Sequence, residues 1–132
     1  MQQTASLATG TADFTSSDCG SHKGTATSTT GLAPGQQMTI NGNADLSSCI
    51  TGPGNGAVYS IELQQDSGFY NYIITVLAQG PTGAFNSMYL HFTDESGDTY
   101  KLWIYSSRKQ LHTVAYDSDK PKIVKVTWSD SD

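Results

Sequence analysis

The sequence has few charged residues, few strong helix formers and no long apolar run. Charged residues make up 14% of the 132 positions, and Lys23 is the one basic residue before position 101. A cytosolic helical protein carries more Glu, Lys, Leu and Ala, so the composition argues against that class. No run is long and apolar enough for a transmembrane helix. No segment keeps a 3.6-residue apolar period over ten positions, which argues against amphipathic helices.

Motifs for the common enzyme classes are also absent. The chain has no Gly-x-Ser-x-Gly elbow, no His-x-x-x-His pair, no phosphate-binding loop and no Rossmann fingerprint. The two glutamates, Glu62 and Glu95, and the scattered aspartates offer few candidates for the paired carboxylates of a glycosidase. We therefore predict that the protein is not an enzyme and has no cofactor and no catalytic residues. A hydrolase site assembled from distant side chains is an alternative, because catalytic triads are spatial arrangements.

The charge balance is acidic, with a formal net charge of −5, which argues against nonspecific binding to nucleic acid. Most basic residues are concentrated near the C-terminus, where they outnumber Asp117 and Asp119. They are Lys101, Arg108, Lys109, Lys120, Lys122 and Lys125. Lysine commonly protects edge strands from pairing with other chains, and this is the favoured interpretation. A surface that binds an anionic partner is the alternative.

The chain has two cysteines, Cys19 and Cys49. In an extracellular β protein, two cysteines favour one disulfide. Such a bridge would stabilise the fold by roughly 3–4 kcal/mol through chain entropy. Two unpaired buried thiols are the alternative. Met1 followed directly by Gln2 is interpreted as an initiator methionine before a mature N-terminus. Together with the composition, this predicts a secreted, extracellular protein.

β-Branched and aromatic residues are plentiful, and they alternate with polar residues between Gly-, Pro- and Asp-containing turns. The pattern predicts about eight short strands, with turn signals every 8–12 residues. Seven strands are delimited at 36–42, 57–64, 69–77, 87–93, 99–105, 111–116 and 122–128. One sheet could not bury all of their apolar faces. We therefore predict a single all-β domain over 1–132, a two-sheet antiparallel β-sandwich, with a less regular Gly/Ser/Thr-rich segment at 1–35.

The hairpin at 87–105 carries the most informative pattern. A turn centred on Ser96 places Tyr89 opposite Trp103 and His91 opposite Lys101, with Tyr105 on the same face. Aromatic rings with polar tips suit sugar stacking or a membrane interface. The predicted binding face therefore consists of Tyr89, His91, Lys101, Trp103 and Tyr105. The alternative is that these side chains cover a second small core or pack under the N-terminal segment.

The other face of the same hairpin is predicted to lie in the core. It carries Met88, Leu90, Phe92, Tyr100, Leu102 and Ile104. In the last strand, Val124, Val126 and Trp128 share one face and are also predicted to be core.

No metal site is predicted. Cys19 and His22 could form a metal or nucleophile pair, but no further ligand is spaced for it. His91 and His112 lie on strands, where a structural role is the default. The acidic turns at 94–98 and 41–45 are the best candidates for Ca²⁺, although neither has EF-hand spacing. Turn acids are favoured for hydrogen bonding to the backbone alone.

The C-terminal stretch 111–129 contains the pattern His-Thr-Val-x-Tyr-x-Ser-x-x-Pro-x-Ile-x-x-Val-x-Trp. This pattern resembles a family of small β-sandwich proteins of fungi and nematodes, whose nematode members are upregulated under reduced insulin-like signalling. The family is similar in fold to the aegerolysins, which are implicated in recognising membrane lipids. The resemblance implies a sandwich fold, a secreted fungal origin and a cytolysin-like relation to membranes. It brings no catalytic residues.

These observations predict a secreted, non-enzymatic, lectin-like recognition protein. Its expected partner is a membrane lipid headgroup, a glycan or a host cell-surface protein, and not nucleic acid. The main alternative is a structural, homo-oligomerising or immunomodulatory secreted protein, and a small hydrolase comes after that.

Overall fold

A computed structural model of the chain describes residues 6–13, 23–26, 31–42, 58–79, 88–104 and 110–129. These ranges contain strands and turns and no helix, so none of their segments is a helix that could cross a membrane. The strands are β1 (Ser6–Asp13), β2 (Lys23–Ala26), β3 (Gln36–Asn41), β4 (Val58–Gln65), β5 (Asn71–Gln79), β6 (Met88–Asp94), β7 (Thr99–Ile104), β8 (Gln110–Asp117) and β9 (Ile123–Ser129).

The strands form two sheets, of five and four strands. The first has the order β1-β3-β4-β5-β8 and the second the order β2-β9-β6-β7. All neighbouring pairs are antiparallel except β1 and β3, which run parallel. The predicted all-β sandwich of two antiparallel sheets is confirmed.

Strands β3 to β9 correspond to the seven strands delimited from the sequence. Strands β1 and β2 lie within the segment 1–35, one in each sheet. The largest difference is at β5, which begins at Asn71 and not at position 69. Phe69 and Tyr70 lie in the preceding turn, where both side chains are exposed. Their apolar character made them look like a continuation of the strand.

The core is formed by the facing sides of the two sheets. In β4 and β5 buried residues alternate with partly buried ones, as the period of a strand requires. The largest fully buried side chains are Trp128, Tyr59 and Phe92. Each large apolar side chain removed from water contributes about 1.5–3 kcal/mol. Burial therefore holds the sheets together.

The predicted core face of the β6–β7 hairpin is largely as expected. Leu90, Phe92 and Ile104 are buried, and Tyr100 and Leu102 are partly buried against them. The side chain of Met88 lies outside the described residues. The prediction for Trp128 and Val126 is also correct, because their side chains are only 1% and 2% exposed.

The prediction that Val124 belongs to the core is wrong. Its side chain is 38% exposed, whereas that of Ile123 is buried. The pairing of β6 with β9 shifts between Thr93, opposite Lys125, and Asp94, opposite Ile123. A β-bulge inserts one extra residue and so reverses the alternation of side chains beyond it. In β9, Ile123 therefore points inward before the bulge, and Val126 and Trp128 point inward after it.

Candidate functional site

The hairpin that carries the predicted binding face has the pairing expected from the sequence. Tyr89 lies opposite Trp103, and His91 lies opposite Lys101. We call these four residues the aromatic face. Tyr105, the fifth predicted residue, lies outside the described residues. A single turn at 95–98 sets this register, so the local sequence was sufficient to predict it.

The rings of the aromatic face contact one another. The ring centroids of Tyr89 and Trp103 are 4.6 Å apart at an interplanar angle of 57°. The Lys101 Nζ lies 5.7 Å from the centroid of the Tyr89 ring, within the range of a cation–π interaction. The rings of Tyr89 and His91 are 6.2 Å apart. The four side chains therefore form one continuous surface on the outer side of the four-stranded sheet.

Exposure differs across the aromatic face. The Trp103 side chain is 39% exposed and Lys101 is exposed, whereas Tyr89 and His91 are partly buried. The indole thus keeps accessible surface at the sheet edge, since β7 is the last strand of its sheet. Tyr89 supports it from the neighbouring strand.

Strand β9 continues this surface on the other side of β6. His91 Nε2 lies 2.9 Å from Ser129 Oγ, and Thr127 lies opposite His91 in the ladder. Lys125, near the start of β9, is exposed. On β6, β7 and β9 the outward positions between 89 and 129 that the structure describes carry aromatic, hydroxyl, histidine and lysine side chains and one valine, but no carboxylate. The described part of this surface therefore carries positive charge, whereas the whole chain has a formal net charge of −5.

Asp94 ends β6 and is the one polar or charged residue that is fully buried in the described part of the chain, at 1% exposure. Its Oδ1 accepts hydrogen bonds from the backbone N–H groups of Ser96 at 2.9 Å and Asp98 at 3.0 Å. Its Oδ2 accepts hydrogen bonds from the hydroxyls of Tyr100 at 3.1 Å and Ser118 at 2.8 Å. One carboxylate therefore joins the β6–β7 turn to the loop between β8 and β9.

The electrostatics of this network favour an ionised Asp94. Burial by itself disfavours the charged form, but the four donated hydrogen bonds outweigh it and hold the pKa of Asp94 below its ordinary value. For Tyr100, burial and then the hydrogen bond and charge of Asp94 raise the pKa to about 12. The pair is thus a neutral phenol that donates to a carboxylate.

This network accounts for Asp94 in the acidic turn at 94–98, one of the two turns that the sequence offers for Ca²⁺. Both oxygens of Asp94 are already occupied by donors, so the residue acts as the turn acid that the alternative interpretation favoured. Most of the second candidate turn, at 41–45, lies outside the described residues. Across the described ranges, no group of three or more His, Cys, Asp or Glu side chains is placed to hold a metal ion.

The remaining predicted residues fall into two groups. His112 on β8 is partly buried, and that burial lowers its pKa, in keeping with a structural role. Cys19, His22 and Cys49 lie outside the described residues, so the disulfide stays a prediction.

Sequence reasoning missed a second surface, formed where three loops meet. Phe69 is 85% exposed and Tyr70 is 60% exposed, and both follow Gly68 within the β4–β5 turn. The φ of Gly68 is +84°. Glycine adopts this left-handed conformation without the steric cost that other residues have. The signal in the sequence was the Asp-Ser-Gly turn immediately before two aromatic residues, followed by Asn71.

No protein-family model, curated protein or solved structure matches this chain. The resemblance of residues 111–129 to the fungal and nematode proteins therefore stays a prediction.

Proposed function

We propose that this chain is a secreted, non-enzymatic recognition protein that binds a glycan through the aromatic face. The observation that carries the proposal is the contact of Trp103 with Tyr89 at 4.6 Å on the outer side of the sheet, beside Lys101 and His91. Rings with polar neighbours can stack on the apolar face of a sugar while the neighbours bond its hydroxyls. Secretion is supported by the composition and by the two cysteines.

The position of the rings favours a glycan over a lipid bilayer. Tyr89 is partly buried and Trp103 is 39% exposed, so both rings are covered in part by their neighbours. A protein that anchors in a bilayer needs side chains that reach the level of the headgroups. A surface of partly covered rings can instead contact an extended oligosaccharide without rearrangement.

The charge of the same surface favours a glycan with acidic groups. Lys101 and Lys125 are exposed on the outer side of the sheet, and His91 lies between their strands. The described outward positions of β6, β7 and β9 carry no carboxylate. Complementary charge increases the association rate and the selectivity of binding. We therefore expect uronate-containing oligosaccharides to bind more tightly than neutral ones.

Tryptophan emission tests the proposal. The chain has two tryptophans, and Trp128 is only 1% exposed, so a change on binding reports on Trp103. The oxidised protein would be titrated with oligogalacturonate, with chitohexaose, and with vesicles of phosphatidylcholine alone or mixed with phosphatidylserine. We expect saturable quenching or a blue shift with oligogalacturonate. The same titration of Trp103→Phe should show no spectral change.

Variants then locate the site. Tyr89→Ala should weaken oligogalacturonate binding by about tenfold, as expected for an aromatic anchor. Leu111→Ala is the matched control, because Leu111 is an exposed apolar residue on the other sheet. Saturable binding only to vesicles would mean that the ligand of the aromatic face is a lipid and not a glycan. No response to any of the four probes would refute a recognition role for the aromatic face.

One observation favours a second candidate function, a hydrolase. The 2.9 Å contact between His91 Nε2 and Ser129 Oγ has the geometry of a base and a nucleophile. Both residues, however, lie on strands that pair with a neighbour on each side. The hydrogen bonds between these strands use the backbone N–H groups that would be needed to stabilise an oxyanion. Hydrolysis of p-nitrophenyl acetate that is lost in Ser129→Ala would support the hydrolase and count against the recognition role.

A further inference from the structure

The second surface is a cleft of ≈ 630 Å³ at one end of the sandwich. The β4–β5 turn, the β6–β7 turn and the β8–β9 loop meet there. Besides Ser118, the cleft is lined by Phe69, Tyr70, Asn71, Asp98, Asp117 and Asp119. We call it the loop-end cleft. It shares no residue with the aromatic face, and nothing in the proposed function uses it.

Two aromatic side chains of the loop-end cleft are presented to solvent on a fixed backbone. Phe69 is 85% exposed and Tyr70 is 60% exposed. The carbonyl oxygen of Phe69 accepts a hydrogen bond from the Tyr72 hydroxyl at 3.3 Å, and that of Tyr70 accepts one from the Ser118 N–H at 2.9 Å. These rings contribute little to the core, and their backbone is already ordered. A ligand would therefore cover them at a small entropic cost.

The other lining groups are carboxylates. Asp98, Asp117 and Asp119 are all exposed. In the described part of the chain, their carboxylates accept no hydrogen bond and form no ion pair. Three negative charges around one cleft repel one another, and a cation between them relieves that repulsion. The described lining contains no lysine, arginine or histidine that could do so.

The loops that carry these carboxylates are held in place by Asp94. Its Oδ1 fixes the backbone at Asp98, and its Oδ2 fixes the hydroxyl of Ser118, which lies between Asp117 and Asp119. The Ser118 hydroxyl in turn accepts a hydrogen bond from the backbone N–H of Lys120 at 3.0 Å. The arrangement therefore exists before any ligand binds.

Aromatic rings beside carboxylates select one kind of ligand. A carboxylate pairs with a positive charge, and an aromatic ring attracts an organic cation through its quadrupole. An anion would be repelled, and a hydrated metal ion would gain nothing from the rings. We propose that the loop-end cleft binds an organic cation, an ammonium or guanidinium group, between the rings of Phe69 and Tyr70 and the carboxylates of Asp98, Asp117 and Asp119.

Such a cation has two sources, a free polyamine or a basic side chain of another protein. Amide chemical shifts in ¹H–¹⁵N spectra of the full chain distinguish them. The probes are spermidine for the first source, and the N-acetyl methylamides of lysine and arginine for the second. We expect saturable shifts confined to residues of the three loops. The probe type with the lower dissociation constant identifies the source of the cation.

Variants separate a specific site from general electrostatic attraction. Phe69→Ala should weaken binding about fivefold through the lost cation–π contact, and Asp117→Asn should weaken it by a similar or larger factor. Glu95→Gln is the matched control, because it removes one charge from the same end of the molecule outside the cleft lining. It should change the affinity by less than twofold, once the melting temperatures of all variants are shown to be equal.

Several results would overturn this proposal. One is the absence of saturable shifts with any of the three probes at tens of millimolar. Another is an equal loss of affinity in Glu95→Gln and Asp117→Asn, which would indicate only a diffuse negative field. A third is tight binding of MgCl₂ at the same amides with no effect of Phe69→Ala. Because Trp103 takes no part in these measurements, the glycan proposal and the cation proposal fail independently.

Discussion

The aromatic face and the loop-end cleft use the same elements with opposite charge. Both place two aromatic side chains beside ionisable groups, a lysine and a histidine in one and aspartates in the other. The aromatic face is held by the ladder of three neighbouring strands. The cleft depends on one buried carboxylate that joins two of its loops. A surface on strands is therefore supported by many weak contacts, whereas a surface on loops is supported by a few strong ones.

The largest expected effect tests this dependence on Asp94. Asp94→Ala leaves two backbone N–H groups and the Ser118 hydroxyl without their acceptor, and it leaves the Tyr100 hydroxyl only the carbonyl oxygen of Asp117. Hydrogen bonds to a charged group are the costly ones to lose. We expect urea unfolding to show a loss of about 3 kcal/mol. Glu95→Ala, in the same turn but exposed, should stay within about 0.5 kcal/mol of the parent protein. Equal losses in the two variants would contradict the role given to Asp94.

A second prediction concerns pH and should affect the loop end more than the aromatic face. The pKa of Asp94 is lower in the folded than in the unfolded chain, where it is about 3.9. Its contribution to stability is therefore complete above the unfolded value and is lost as the pH falls through the folded value. The difference in unfolding free energy between the parent protein and Asp94→Asn should shrink by up to about 1.4 kcal/mol per pH unit below about pH 4.

This measurement has a spatial control. Amide protection factors near Ser118, corrected for the pH dependence of intrinsic exchange, should fall on acidification before those near Tyr89 do, because only the first site is tied to the Asp94 carboxylate. A simultaneous loss of protection at both sites would show that the two regions open together.

The smallest expected effect belongs to the aromatic face. A double-mutant cycle of Tyr89→Ala and Trp103→Ala should give a coupling energy of about 1 kcal/mol for the ring contact. Each single variant should keep the fold, because Trp103 is part-exposed and the core lies on the other side of the sheet. A coupling energy of zero would mean that the two rings do not support each other. A loss in Trp103→Ala as large as that in Asp94→Ala would make Trp103 a core residue.

The strands and the aromatic face were largely predictable from the sequence, and the loop-end cleft was not. Strand alternation and one hairpin turn are local features, so the pairing of Tyr89 with Trp103 could be read from residue numbers alone. The exposure of Val124 could not, because it results from a bulge in the pairing of two strands that are distant in sequence. Phe69 and Tyr70 looked like strand residues because composition does not show where a strand begins.

The sequence by itself determined a β-sandwich, the positions of seven strands and the side of the hairpin on which the aromatic face lies. These follow from a period of two residues and from turn residues, both of which act over a few positions. Only the tertiary structure decided that Asp94 is buried, that Ser118 bonds to it, and that three loops surround one cleft. Those contacts join residues from different hairpins, and whether they form depends on how the two sheets pack and not on any local pattern.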